Sequence, residues 1–214
     1  MSGLSDALLV AALLLGFATL GSNRLTTSIR LAAAQGALIA LLPLVRHGFA
    51  LGPHVLLLVG APVMAKGVVM PWLLLRAIRE ADMRREMEPY IGYTASLLLG
   101  TVLTGAGFLL AAGLPQAAQP DGWLLAACAL ATVLLGGLMM VSRRKAVTQV
   151  LGYLMLENGI FLFGQGLATE LPVLVELGVL LDLLVAVFVM GITIFHINRE
   201  FDSIAVHELT ALHD

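Results

Sequence analysis

Charge is what this chain has least of: Asp, Glu, Lys and Arg make up 12% of its 214 residues, against about 25% in soluble domains. With 59% of residues hydrophobic, so few charges cannot cover a surface that faces water on every side, and the composition is that of an integral membrane protein. Cysteine is almost absent as well. Cys128 stands alone inside an apolar run, which excludes a disulfide framework and any cysteine-based metal site. The chain also lacks a Walker loop, a dinucleotide fingerprint, a His or Cys cluster for haem or iron–sulfur centres, and a convergent nucleophile and base. It is therefore expected to carry no cofactor and no metal of its own. A formal net charge of -2, with no basic cluster beyond a few loop arginines, leaves no footprint for nucleic acid. The apolar start Met1 to Leu20 has Asp6 where a signal peptide would carry positive charge, so it is expected to be a retained first helix.

What is present is a series of apolar segments, roughly 4–21, 26–45, 53–75, 91–113, 122–141, 147–168 and 171–196, each near the length of about 20 residues that a bilayer-spanning helix needs. The fold class expected is all-α, a polytopic membrane bundle of about seven helices. The second segment is the least regular, with Arg30 near its start and Pro43 near its end, so it spans only if Arg30 snorkels to the interface. Its run Ala33-Ala34-Gln35-Gly36-Ala37, with Ala40 beyond, presents small residues at helical spacing, which lets a neighbouring helix come close. Basic residues set the orientation. With the N-terminus outside, Arg24, Arg30, Arg76, Arg79, Arg84, Arg85, Arg143, Arg144, Lys145 and Arg199 all fall on the cytoplasmic side and only Arg46 falls outside. The positive-inside rule thus selects an N-out, C-in chain. Residues 76–90 are densely charged and read as a solvated loop or a short cytosolic extension of the third helix as far as Pro89. The tail after His196 reads either as a frayed terminus or as a surface-docking helix.

Three ionisable residues interrupt the apolar segments at similar depth. Lys66 lies in the third segment, Glu157 halfway along the sixth and Asp182 about eleven residues into the seventh. At a rise of about 1.5 Å per residue, Glu157 sits roughly 15 Å into a hydrocarbon core of about 30 Å. An acidic or basic residue at a helix centre costs about 3 kcal/mol on insertion scales, so such a group faces protein or water and marks an ion or proton pathway. A lysine and two carboxylates in one plane can neutralise one another and change charge at modest cost, which is what a proton relay requires. The alternative is a buried ion pair that sets helix packing and moves no proton. Pro71 removes the N–H that would bond the carbonyl of Gly67, loosening the helix beside Lys66. Asn158 is placed to hydrogen-bond across helices beside Glu157, and Tyr153 lies one turn away on roughly the same side. Glu176 and His196 lie toward the outer and cytoplasmic ends of the seventh segment, as candidate outer-mouth and exit groups.

The stretches Arg143-Arg144-Lys145, Gly152-Tyr153-Leu154-Met155-Leu156-Glu157-Asn158-Gly159, Leu174-Val175-Glu176-Leu177-Gly178 and Asp182-Leu183-Leu184-Val185-Ala186-Val187-Phe188-Val189-Met190, together with Lys66-Gly67-Val68-Val69-Met70-Pro71 and Leu209-Thr210-Ala211-Leu212, resemble component E of hydrogenase-4-type complexes. The last three segments are also similar to the three-helix K subunit of complex I and the C subunit of Mrp-type antiporters. Aligned on the double arginine, Asn158 matches that family's asparagine and Asp182 its third-helix glutamate. Leu154 stands where the middle-helix glutamate belongs, and Glu157 follows one turn later on a neighbouring part of the same face.

The resemblance implies a subunit of a group 4 NiFe-hydrogenase complex, such as a formate hydrogenlyase, in a bacterial or archaeal cytoplasmic membrane. The NiFe centre and iron–sulfur clusters would then belong to partner subunits. Those partners would be antiporter-like membrane subunits and a peripheral hydrogenase arm. Lys66, Glu157 and Asp182 would relay protons or charge between them, supported by Asn158, Tyr153, Glu176, His196 and Pro71. Residues 1–121 would form an N-terminal four-helix segment, 122–197 the K-subunit-like part and 198–214 a cytoplasmic tail. Two rivals stay open: an Mrp-like cation/proton antiporter subunit without hydrogenase activity, and a purely structural membrane spacer.

Overall fold

In a computed structural model, residues 2–46, 53–80, 90–114 and 122–167 are described. Their elements are α1 (Ser2–Gly21), α2 (Leu25–Arg46), α3 (Pro53–Met64), a π-helical turn π1 (Ala65–Val69), α4 (Met70–Glu80), α5 (Tyr93–Ala112), α6 (Gly122–Ser142) and α7 (Ala146–Leu167). Among the described residues, six stretches are long and apolar enough to cross a membrane, with α3, π1 and α4 supplying one of them as Val59–Arg79. The protein is an all-α membrane helix bundle, as its composition requires. The seventh apolar segment, 171–196, the tail and most of the charged stretch 76–90 lie outside the described residues.

The outward faces fit a lipid solvent. On α5 the buried positions are the small residues Ser96, Gly100, Gly107 and Ala111, while Leu98, Val102, Leu109 and Leu110 are exposed. In water that pattern would be inside out. In a bilayer, helices gain by close packing of small residues and lose nothing by presenting leucine to acyl chains.

Two apolar layers are stacked along the bundle. One joins Leu20 of α1, Leu25 and Ile29 of α2, Met70 and Leu74 of α4, Leu135 and Met139 of α6, and Leu151 and Met155 of α7. The other joins Leu9 and Ala12, Ile39 and Leu42, Leu125 and Cys128, and Phe161 and Leu162. Between them, at matching heights, lie the buried polar residues Gln35, Lys66, Thr132, Glu157 and Asn158. The core is thus divided by one polar layer.

The first apolar layer borders the arginine-rich end. There the buried Arg143 donates from Nη2 to the carbonyl of Leu20 at 2.7 Å, answering one of the orphan carbonyls at the end of α1. Its guanidinium lies 4.9 Å from the Tyr93 ring centroid, and Arg144 covers Tyr90 at 4.7 Å. The Tyr90 N–H closes the junction by bonding the Ser142 carbonyl at 2.9 Å. Desolvation pulls the Arg143 pKa below its ordinary value, with Tyr93 pulling the other way. Arg24, Arg76, Arg79 and Lys145 belong to the same end and Arg46 to the opposite one, as helix order dictates. Arg30 is exposed near the start of α2, consistent with its expected outward reach.

Pro43 does not interrupt α2. A proline removes the N–H that would bond the carbonyl four residues back, here that of Ile39. Gln165 of α7 replaces it, donating from Nε2 to the Ile39 carbonyl at 3.2 Å.

Among the described helices, α6 and α7 make the most extensive contact, and three glycines explain it. A Cβ on Gly152 would sit 2.6 Å from the backbone nitrogen of Met140, and one on Gly159 would sit 2.6 Å from that of Val133. A Cβ on Gly136 would collide with the backbone of Leu156. Gly136→Ala is therefore expected to force the two helices apart and destabilise the protein by about 1–3 kcal/mol. Gly137→Ala, whose Cβ meets nothing within 4 Å, should be neutral; thermal unfolding in detergent measures both.

Candidate functional site

The site within the polar layer is built from three helices. Glu157 and Asn158 sit halfway along the Val147–Gly166 span of α7, where the glycine seam with α6 holds them in depth and rotation. Lys66 comes from π1, and Gly36 from α2 closes the third side. A Cβ on Gly36 would lie 3.0 Å from Lys66 Cβ and 3.1 Å from Asn158 Oδ1, so any larger residue would crowd both side chains. The small-residue run of α2 does bring a neighbour close, and the groups it admits are those of the site.

Lys66 Nζ forms a salt bridge with Glu157 Oε2. It also donates to Asn158 Oδ1 at 3.1 Å and lies 5.2 Å from the Phe161 ring centroid. Lys66, Glu157 and Asn158 are 5%, 1% and 3% exposed, so carboxylate, amide and aromatic face together replace the hydration shell of the ammonium. A buried charge is tolerated only when it is paired and hydrogen-bonded in this way.

The backbone beside the pair is irregular. The Met70 N–H bonds the carbonyl of Ala65, five residues back, which closes the π turn. Pro71 follows directly. The helix is thus loosened next to Lys66, as its proline predicts, and the distortion is a π turn lying N-terminal to that proline. A cleft of about 20 Å³ adjoins it, lined by Lys66, Met70, Pro71, Leu154, Glu157 and Asn158 together with Ile29, Ala32 and Ala33 of α2 and Leu74 of α4. Ile29, Leu74 and Leu154 lie on the arginine-rich side of the ion pair along their helices. Leu154 and Glu157 share its wall, so the displaced carboxylate faces the same space as the position one turn before it.

Of the candidate residues, Lys66, Glu157, Asn158 and Pro71 come together. Tyr153 is half-buried and packs against the first apolar layer, away from the cleft lining. Asp182, Glu176 and His196 lie outside the described residues. Two glutamines escaped the reading of the sequence. Gln35 is fully buried and donates from Nε2 to the Ala12 carbonyl at 3.0 Å, tying α2 to α1 beside the site, and Gln165 answers Pro43. The signal for Gln165 was available, since a proline inside a spanning helix leaves a carbonyl that some donor must satisfy. Among the described residues, no group of His, Cys, Asp and Glu could hold a metal ion.

Comparison with known proteins gives two kinds of relative. The chain is 37% identical over 190 residues to the uncharacterized protein Rv0085 of Mycobacterium tuberculosis, covering 87% of this chain and 85% of that protein. It is 42% identical over 86 residues to hydrogenase-4 component E of Escherichia coli K12, and equally to that of Shigella flexneri. That second match spans 40% of this chain and 40% of each of those proteins. No protein-family model matches the chain, and no solved structure matches it.

Removing one member of the buried pair should cost more than removing both. Glu157→Leu, which leaves the ammonium of Lys66 without its carboxylate, is expected to destabilise the protein by about 3–5 kcal/mol, and the double change Lys66→Met with Glu157→Leu to recover most of it. Chemical unfolding of the four members of the cycle measures the coupling.

Proposed function

We propose a role for this chain from one premise: it belongs to the same family as the Mycobacterium tuberculosis protein Rv0085. The role is that of a membrane subunit of a hydrogenase-4-like complex, in which a mid-membrane polar axis carries protons or charge between a redox arm and neighbouring membrane subunits. The partial match to hydrogenase-4 component E supports the kind of complex. The observation that carries the relay is the meeting of Lys66 and Glu157, 91 residues apart in sequence, at half the depth of a spanning helix.

The pair suits proton exchange. Moving a proton from Nζ to the carboxylate converts two buried ions into two neutral groups, so the attraction lost is offset by relief of desolvation. Asn158 gives Nζ a second acceptor that does not titrate and can hold the amine while the carboxyl carries the proton. Asp182 continues the axis on the seventh segment, with Glu176 and His196 toward its two mouths. The gathering of arginines at one end supports an N-out, C-in orientation in a bacterial or archaeal cytoplasmic membrane. The NiFe centre and iron–sulfur clusters reside in partner chains, a peripheral hydrogenase arm beside antiporter-like membrane subunits.

The test is to purify the native complex through a tag on this chain, assay nickel and hydrogen turnover, and reconstitute it into vesicles. Nickel should be present. Glu157→Gln and Asp182→Asn should leave the complex assembled and lower coupled proton translocation by about a hundredfold or more, the scale on which positioned acid–base groups act. A complex without nickel would place the chain with Mrp-like antiporters, and variants that fail to assemble would make the charges structural.

A further inference from the structure

Pro43, Pro62 and Pro71 each lie within a helix of this bundle and free a backbone carbonyl, and the sites at Pro43 and Pro71 are treated differently. At Pro43 the freed carbonyl of Ile39 takes the side-chain N–H of Gln165. At Pro71 the outcome follows from the π turn. The carbonyl of Lys66 would accept from Met70 in an α-helix, but the Met70 N–H goes to Ala65. In a π-helix it would accept from residue 71, which is proline and has no N–H. Both helical donors are lost together, and the residue left with the bare carbonyl is the one whose ammonium holds Glu157.

A helical carbonyl points toward the residues one turn on, here Met70 and Pro71, and both line the cleft that also holds Glu157 and Asn158. The cleft volume of about 20 Å³ exceeds the 10–15 Å³ or so that admits one water. Polar partners are in reach on three sides: the Lys66 carbonyl, the Glu157 carboxylate and the Asn158 amide. The guest must be neutral, because a second cation beside the Lys66 ammonium would be repelled in a medium of low dielectric.

We propose that this cleft is a hydration site in which the Lys66 carbonyl holds a water against Glu157 and Asn158, linking the ion pair to the arginine-rich end, and that Pro71 is the positioning residue that keeps this carbonyl free. The inference rests on the relay reading above and names the side from which its central pair exchanges protons. On the way out, the water would pass Ile29, Leu74 and Leu154, apolar residues that line the cleft.

The test uses the intact complex and restores the missing donor. Pro71→Ala, or Pro71→Gly if the alanine variant assembles poorly, supplies an N–H that the Lys66 or Gly67 carbonyl can take. Hydrogen–deuterium exchange is followed on the peptide covering residues 64–75. In the wild type its amides should exchange at least tenfold faster than those of the α6 span. In the variant they should slow at least tenfold. Proton translocation should fall at least fivefold while assembly and redox turnover persist. Wild-type exchange as slow as that of α6, or a variant that changes neither exchange nor translocation, overturns the hydration site. Glu157→Gln separates the two ideas: if it blocks translocation while Pro71→Ala does nothing, the relay stands and the hydration site falls. If it has no effect on translocation, the relay falls, and the exchange result alone decides whether the cleft is wet.

Discussion

The ammonium of Lys66 and the carboxylate of Glu157 each face a cost of several kcal/mol when taken from water into a low-dielectric interior, and only together can they be held at half the depth of a bilayer. Much of the bundle serves that pairing. The glycine seam of α6 and α7 fixes the height and rotation of Glu157. Gly36 on α2 yields its side-chain volume to Lys66 and Asn158, and Phe161 offers its ring face to the ammonium. The apolar layers above and below bound the polar layer, and the low dielectric they create strengthens its electrostatics.

The prolines show how such a bundle spends or satisfies hydrogen bonds. In hydrocarbon a bare carbonyl has no solvent to turn to, so non-regular backbone persists only where protein answers it or a hydrated cavity lies beside it. Pro43 is the first case, closed by an amide from α7. Pro71 is the second in the reading proposed here, and it stands beside the one lysine of the polar layer. Distorted next to Lys66, the helix sets a polar backbone atom among groups that can exchange protons.

Much of this was legible from residue order. Lys66, Glu157 and Asn158 are recognisable because each is a polar residue deep in an apolar run, and depth follows from counting. Pro71 announces a loosened helix one turn from a charge. The basic residues sort to one end because loops alternate sides, and the structure gathers Arg24, Arg76, Arg79 and Arg143–Lys145 there. Gln35 and Gln165 were harder to find, since an isolated amide inserts into an apolar helix without a charge to mark it. Arg143 was legible as an orientation signal but not as a buried guanidinium reaching the carbonyl of Leu20, because its environment is made by the ends of three other helices.

By itself, then, the sequence determined the class of solvent, the spans and the depth of each polar group, all of which depend on local composition and a constant rise per residue. Which polar groups touch depends on the rotation of each helix about its axis and on which helices are neighbours, and depth leaves both open. Only the tertiary structure could decide that Lys66 meets Glu157 and Asn158, and that the helix before Pro71 forms a π turn beside a cleft. Those outcomes come from backbone contacts at glycines and from buried donors finding acceptors on other helices, which no single segment contains.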